Sequence, residues 1–373
     1  MNHVLMILLW LFGSIALLAV AFLAYFALAP RIGGNPSGER LEHIQASPNY
    51  RNGKFRNLVP TDMKIPAGKM PGLMWSFIKG GEGREPKDVL PTEDLDLAAW
   101  EAVADTSFAV AWFGHSSLLI KIGGTTILTD PVFGGRASTF SFAGPKRFNY
   151  RHHVRVEELP PVDIVLLSHD HYDHLDHETI LQLKDKHFVA PLGVGAHLER
   201  WGIPAASITE KDWWATEQVG ALKLVLAPAR HFSGRGLSNR FSTLWGSWVL
   251  EAGGRKIYFG ADSGYSPTFK EVGDRFGPFD LAMLECGAYN ELWRDIHMFP
   301  EQTAQAALDV RARVLMPIHW AKFSLAMHPW KEPVERLFAK AKELGMPLLT
   351  PRIGAIVTDA DLSCPEQWWA GLE

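Results

Sequence analysis

The sequence predicts one large α/β domain built on packed β-sheets, carried behind a single membrane-spanning helix. Three observations carry that expectation. Short β-rich runs recur from Phe108 to Asp359 with helical patterns among them. The N-terminus is a long uncharged apolar stretch. Several of the β-like runs end on a histidine or an aspartate.

The N-terminal element comes first. From Val4 to Pro30 no charged residue occurs. Roughly 25 residues rising about 1.5 Å each can cross a hydrocarbon core of about 30 Å. Ala27-Leu28-Ala29 resembles a signal-peptide cleavage site, so removal is the rival reading. The length of the run, the lack of a basic leader and Pro30 directly after Ala29 favour an anchor, residues 1–30. No Lys or Arg precedes the span, whereas Arg31, Arg40, Arg51, Lys54 and Arg56 follow it. That asymmetry predicts a catalytic domain on the cytoplasmic side.

Residues 31–95 are rich in Gly, Pro and charge, and read as a tether and lid-like segment packed on the domain. Within it, "MPGLMWSFI" (Met70 to Ile78) is either a short helix docked on the core or a membrane-facing element. Residues 96–373 then form the domain itself. Its strand-like runs are "FAVAWFG", "SLLIKI", "TTILTD", "DIVLLSH", "LKLVLAPARH", "TLWGSWVLEA", "KIYFGADSG", "LAMLECGAY", "RVLMPIHW" and "IGAIVTD". Gly123-Gly124 and Gly253-Gly254 predict hairpin turns. Helices are expected over 177–186, 300–310 and 332–344, with Asp176 capping the first and Pro300 opening the second.

Composition narrows the function. In 373 residues, 47% are hydrophobic and 21% charged, which is enough apolar surface for a sizeable core. A net charge of -4 excludes the basic balance of a nucleic-acid protein. Arg147, Arg151, His152, His153 and Arg155 form the one dense basic run, a solvated face or a phospholipid head-group contact. Cys286 and Cys364 are too few for a disulfide framework or a thiolate metal site, so any metal rests on His and carboxylate.

Those residues are present in a telling pattern. "DIVLLSH" ends at His169 and leads into His171, Asp173 and His174. "LVLAPARH" ends at His231, "KIYFGAD" at Asp262 and "RVLMPIH" at His319. Groups at the ends of neighbouring strands can converge on one point. Packing has no use for H-x-H-x-D-H on a polar loop. One metal cannot take seven groups, but two divalent ions about 3.5–4 Å apart can. Imidazole and carboxylate suit Zn²⁺, with Fe or Mn as alternatives. His115, His152, His153, His187, His197 and His328 are expected to be core or surface residues.

At these positions the chain resembles the metallo-β-lactamase superfamily. "WFGHSSLLIKI", "LTDPVFGGRAS", "GPKRF", "ELPPVDIVLLSHDHYDHLD", "DWW", "LWGSWV", "GADSGYSP", "RFGPFDLAMLECGAY" and "IHWAKFSLA" resemble the phospholipases D that hydrolyse N-acylphosphatidylethanolamine, and their bacterial relatives. The resemblance runs from about Tyr50 to Thr358. It implies an αββα sandwich of two packed β-sheets flanked by helices. It also implies one zinc on His169, His171 and His231, a second on Asp173, His174 and His319, and Asp262 bridging. Asp130, in "LTDP", would orient a ligand imidazole, and His297 would contact substrate. Asp173 and Asp262 would then be the catalytic carboxylates. Glu285, Cys286 and Ile296 depart from the family pattern near the expected pocket.

The implied activity is hydrolysis of a phosphodiester by a hydroxide held between two metals, at a membrane, on a phospholipid substrate. A homodimer is a candidate assembly. Lactone, ester or amide hydrolysis would use the same ligands, and a non-catalytic lipid-binding protein is the alternative of another class. "DWW" (Asp212 to Trp214) would wall an acyl groove or pack in the core. Flavin-partnered di-iron relatives usually carry Glu where His171 stands, which argues against redox chemistry.

Overall fold

The computed structural model describes residues 3–362 and 366–373; Cys364 lies outside them. The apolar N-terminus is one helix, α1 (His3–Leu28). Its window His3–Tyr25 is long and apolar enough to cross a membrane and is not buried against the rest of the chain.

The chain then packs back. α2 (Gly38–Ala46) buries Ile44, and the small hairpin β1 (Tyr50–Arg51) and β2 (Lys54–Phe55) buries Phe55, both in the main core. α3 (Met70–Lys79) is the "MPGLMWSFI" segment, and its Met70, Met74, Trp75 and Phe77 are all exposed rather than docked on the core. α4 (Leu97–Glu101) is capped by Asp96, whose side chain accepts from the Ala99 N–H.

The first sheet is laid down by β3 (Phe108–Trp112), β4 (Leu118–Ile122), β5 (Thr125–Thr129), β6 (Ile164–Leu166), β7 (His187–Pro191) and β8 (Ile208–Lys211). The second follows with β9 (Thr216–Val219), β10 (Leu222–Ala227), β11 (Ser247–Ala252), β12 (Arg255–Phe259), β13 (Leu281–Glu285) and β14 (Leu315–Ile318). β15 (Ile356–Thr358) returns to the first sheet, beside β3. The orders are β15-β3-β4-β5-β6-β7-β8 and β14-β13-β12-β11-β10-β9. Each sheet is antiparallel at one side and parallel at the other, from β5 to β8 and from β12 to β14.

Period-two alternation decides the layers. On β3, Phe108, Val110 and Trp112 enter the core between the sheets, while Ala109 and Ala111 face the outer layer. That outer layer is closed by α5 (His177–Gln182) and α6 (Gly195–Arg200), which contribute Ile180 and Leu198. α7 (Thr268–Phe276), α8 (Pro300–Asp309) and α9 (Glu332–Leu344) cover the second sheet through Phe269, Ala304 and Leu337. The architecture is the αββα sandwich that the resemblance implies. Both glycine pairs turn hairpins as expected, with φ of 58° and 74° at Gly123-Gly124 and 58° and 76° at Gly253-Gly254. Asp176 caps α5, its carboxylate accepting from the Thr179 N–H. α5 stops at Gln182, short of the expected residue 186.

Candidate metal centre

The site is built at the carboxyl ends of strands from both sheets. β6 leads into Ser168 and His169, and the chain then turns through His171 and His174, whose N–H and that of Leu175 reach back to the His171 carbonyl. From the second sheet, β10, β12 and β14 run into His231, Asp262 and His319. All seven predicted ligands come together, and they separate into two sets. His169, His171 and His231 form one cluster; Asp173, His174 and His319, joined by His115, form the other. Within the first, His171 Nδ1 lies 2.9 Å from His169 Nε2 and 3.2 Å from His231 Nε2. Between them stands Asp262. Its Oδ2 is 3.1 Å from both His174 Nε2 and His319 Nε2, 3.7 Å from His231 Nε2 and 3.9 Å from His169 Nε2.

Three of the five outer imidazole nitrogens are held, whereas His171 Nε2 and His319 Nδ1 are buried without a hydrogen bond among the described residues. His169 Nδ1 lies 2.9 Å from Ser168 Oγ, and His174 Nδ1 lies 2.7 Å from Asp130 Oδ2. His231 Nδ1 donates to the Ile296 carbonyl at 2.9 Å. Asp130, fully buried, is itself fixed by the Ser168 N–H at 2.8 Å and by the Ser168 hydroxyl at 2.5 Å. Partners of this kind fix ring orientation and tautomer, leaving the inner nitrogen to a metal. The inner atoms pass a direct test. His174 Nε2, His319 Nε2 and Asp262 Oδ1 are buried and make no hydrogen bond, although polar neighbours lie close. Buried polar atoms are seldom left so. Nitrogens and carboxylate oxygens crowded around a shared space, with these three inner atoms left unpaired, fit a pair of divalent cations.

The electrostatics agree. Burial opposes the charged form of each imidazole. With His174 and His171 as neighbours it pushes His169 well below its ordinary value, and His231 is likewise lowered. Against that burial, Asp262 and Asp173 carry His319 up to about 10 and, with Asp130, hold His174 well above its usual range. His169 and His231 are therefore neutral and ready to ligate, whereas His174 and His319 keep protons that a divalent ion must displace. Backbone strain gathers here too. His115, Asp130 and His319, with Ala261 beside Asp262, have φ of 57°, 35°, 64° and 48°.

His115 requires a correction. Expected to be an ordinary core or surface histidine, it is buried with Nε2 3.0 Å from Asp173 Oδ2 and its ring 4.0 Å from that of His319. The clue was its place in "WFGHSS", between two strands where a loop can turn a side chain inward. The other spare histidines are structural: His197 pairs with buried Asp170 at 3.1 Å, His152 lies 3.0 Å from Glu158, and His328 Nε2 accepts from the Ala288 N–H. His187 lies 3.1 Å from the Thr209 hydroxyl, and His153 stacks on Tyr150.

A pocket of about 310 Å³ opens on this centre. His171, Asp173, Asp262 and His319 form its floor, and Met63, Ile65, Phe232, Trp293, Ile296 and Leu325 its walls. His297, predicted to meet substrate, lines it. Its Nδ1 lies 2.6 Å from Oε2 of fully buried Glu285, which also accepts from the N–H groups of Ser263 and Met298. Glu285 was noticed only as a departure from the family pattern; it orients His297 and lies 3.8 Å from His319 Nδ1. Arg240 stands at the rim, over the Phe232 ring at 4.4 Å, without a carboxylate partner among the described residues. Trp213 and Trp214 are not in this pocket. Trp213 is buried, donating to the Trp245 carbonyl, and Trp214 stacks between Arg275 and Phe276.

Residues 125–320 match the β-lactamase superfamily domain. An uncharacterised protein of Mycobacterium bovis is 42% identical over 332 residues, 87% of this chain and 88% of its own length. The N-acyl-phosphatidylethanolamine-hydrolyzing phospholipase D 1 of Caenorhabditis elegans is 34% identical over 258 residues, 65% of this chain and 72% of its own. Among solved structures, Igni18, a metallo hydrolase of the archaeon Ignicoccus hospitalis, superposes with a TM-score of 0.52 at 19% identity, covering 68% of this chain and 98% of that one. That last likeness is one of fold.

Proposed function

The chain belongs to the metallo-β-lactamase superfamily and resembles within it the N-acylphosphatidylethanolamine-hydrolysing phospholipases D, and from that premise we propose a membrane-anchored, dinuclear phosphodiesterase acting on N-acylphosphatidylethanolamine-like lipids. The observation that carries the reading is a single pocket whose floor is the paired ligand set, whose walls are apolar and whose rim holds Arg240. An amphiphilic anion matches all three.

In this reading His169, His171 and His231 hold one Zn²⁺, Asp173, His174 and His319 the other, and Asp262 lies between. A pair of such ions supplies a water acidic enough to deprotonate near neutral pH and Lewis acidity towards phosphoryl oxygens. The chain's own residues do the rest. Asp130, Ser168 and the Ile296 carbonyl keep the imidazoles aimed. Asp173, held by His115, accepts a hydrogen bond from the attacking water. His297, steadied by Glu285, reaches the reacting group from the opposite wall. Met63, Ile65, Phe232 and Leu325 shelter acyl chain and exclude bulk solvent, and Arg240 attracts the anionic head. Water adds its oxygen at phosphorus, the P–O bond to the N-acylethanolamine oxygen breaks, and that oxygen takes up a proton given up by the water, so that N-acylethanolamine leaves and phosphatidate remains. α1 anchors the enzyme, with the domain on the cytoplasmic side.

The test is turnover of N-acylphosphatidylethanolamine by the purified full chain, with products identified by mass beside a lactone and ester panel. Release of N-acylethanolamine and phosphatidate, lost in His169→Ala, is the expected result. Lactone turnover without lipid turnover would replace the phosphodiesterase reading. Elemental analysis of the same preparation reports whether zinc, iron or manganese fills the two positions.

A further inference from the structure

We propose that the domain has a second bilayer contact besides α1, formed by α3 and the 136–147 loop, which sets the pocket mouth at the boundary between headgroups and acyl chains. The proposal rests on the membrane placement above and is independent of the substrate.

The first observation is uncovered apolar surface. On α3, Trp75 is 63% exposed and Met74 59%, with Phe77 and Met70 also open. On the loop, Phe142 is 75% exposed. The helix is nonetheless held in place. Arg84 donates to the Ser76 carbonyl at 3.0 Å and lies 5.3 Å from the Phe77 ring. Exposed apolar side chains gathered on a fixed helix and a neighbouring loop mark an interaction surface.

What covers it follows from continuity with α1. The Tyr25 hydroxyl, three residues before that helix ends, donates to the Thr139 carbonyl at 2.9 Å. Its ring stacks on Phe140 at 4.9 Å, and Arg31 donates to the Ser138 carbonyl at 3.2 Å. The loop therefore sits at the level where the apolar span leaves the hydrocarbon. Phe142, with its ring 5.5 Å from that of Phe140, is at the same level. α3 joins this face through a cavity lined by Phe77, Arg136, Pro145 and Lys146, with Glu82 and Glu85, beyond the end of the helix, also in its lining.

Charge points the same way. No carboxylate occurs from Met63 to Gly81, nor from Pro131 to Val156. Lys64, Lys69, Lys79 and Lys146 are exposed and form no ion pair among the described residues. Lysines flanking an apolar helix with an exposed Trp suit an anionic lipid surface, where the ammonium groups reach phosphate and the apolar side chains enter the acyl boundary. Met63 and Ile65, just ahead of α3, line the pocket, as does Leu325 beside Ser324. A lipid held under this face would meet the site by a short lift out of the bilayer.

The test uses the full chain in vesicles of phosphatidylcholine and phosphatidylglycerol, with Cys364→Ser and a single cysteine added as Trp75→Cys, Phe142→Cys or, as control, Lys270→Cys on α7. Each carries a polarity-sensitive fluorophore. Labels at 75 and 142 are expected to shift to the blue, to be quenched by nitroxides on the acyl chains and to resist aqueous iodide; the label at 270 should show the reverse. Iodide access with no nitroxide quenching at 75 and 142 overturns the proposal. Protection from iodide without nitroxide quenching, varying with protein density in the vesicle, overturns it in favour of a second copy. A kinetic arm adds Trp75→Glu with Phe77→Glu: hydrolysis of bilayer-embedded lipid should fall at least tenfold, and that of a dispersed short-chain phosphodiester should not change. An equal fall on both substrates counts against it. If the wild type hydrolyses no lipid, the functional reading fails while the label depths still decide the surface.

Discussion

Asp262 shows how much of this site is decided by single atoms. One oxygen within 4 Å of four imidazole nitrogens is tolerable only where positive charge lies among them. Asp262→Asn is expected to cost at least one equivalent of bound metal and more activity than the roughly 10–100-fold typical of a supporting residue. Asp130→Asn, one layer out on His174, should stay within that 10–100-fold range in metal affinity. Metal stoichiometry and titration against a chelator separate the two. Glu285→Gln tests positioning: two metals should remain bound while kcat falls about tenfold or more, because the His297 ring loses its anionic partner. Loss of metal in that variant would assign Glu285 to the ligand set instead. Lys322 belongs at this scale as well. It is buried, donating to the Phe113 carbonyl at 3.1 Å and the Ser117 hydroxyl at 3.5 Å and lying 5.6 Å from the Phe133 ring, with no carboxylate paired to it among the described residues, and burial pulls its pKa down to about 7. The unfolded chain then binds more protons than the folded one from about pH 7 to its ordinary value near 10.5. Stability contributed here must rise with pH across that window, by up to about 1.4 kcal/mol per unit. Lys322→Met should flatten the rise, and chemical denaturation at a series of pH values measures it.

Among the elements, the segment after the span matters most for placing the site. Fully buried Arg235 donates to the carbonyls of Asp170 and Leu175, in the ligand loop, and to that of Arg31, just past α1. Trp201 donates to the Pro30 carbonyl at 2.6 Å, and Gly33, at φ 82°, lies so close to His197 that a Cβ would sit 2.2 Å from its ring nitrogen. The base of α1 is therefore docked on the ligand loop rather than hung from a free tether. Arg235→Met should lower stability by about 2–4 kcal/mol, since several carbonyls lose a charged donor at once, and should disorder the ligand loop. A shifted denaturation midpoint in detergent together with weaker metal retention is the expected pair of results. The same elements show what sequence can and cannot carry. Strands ending in His169, His231, Asp262 and His319 were legible because buried strands are apolar runs and ligands interrupt them abruptly. β7, β8 and β9 were missed: β8 and β9 are short and polar, "ITEK" and "TEQV", with no apolar periodicity to mark them. α7 went unread although Phe269, Val272 and Phe276 recur at helical spacing, because it is only nine residues long and Pro267 gives it no side-chain cap to mark its start. His115 and Glu285 lie far from the ligand loop in sequence, and only the meeting of strands brings them beside it. The docking of Arg235 depends on two loops whose approach no local pattern encodes.

At the scale of the whole molecule, the ligand set is divided between the two halves of the sandwich. His169, His171, Asp173 and His174 follow a strand of the first sheet, whereas His231, Asp262 and His319 follow strands of the second. Metal ions held by both groups would join the sheets at one end, on top of the apolar core that joins them along their length. In the unfolded chain these ligands are scattered over about 150 residues, so the ions bind the native state far better. An ion at a hundred times its dissociation constant then stabilises by about 2.7 kcal/mol. For a chain this large each kcal/mol moves the midpoint by roughly 2 °C, so chelation should lower Tm by roughly 5 °C for each ion removed. Restoring Zn²⁺ should recover the loss, and Mg²⁺, which prefers an all-oxygen shell, should not. Asp262→Asn, with fewer ions to lose, should show a smaller chelator-dependent drop than the wild type while starting from a lower Tm. Differential scanning with and without chelator measures all four states. An unchanged Tm on chelation would mean that the two sheets are joined by their core alone.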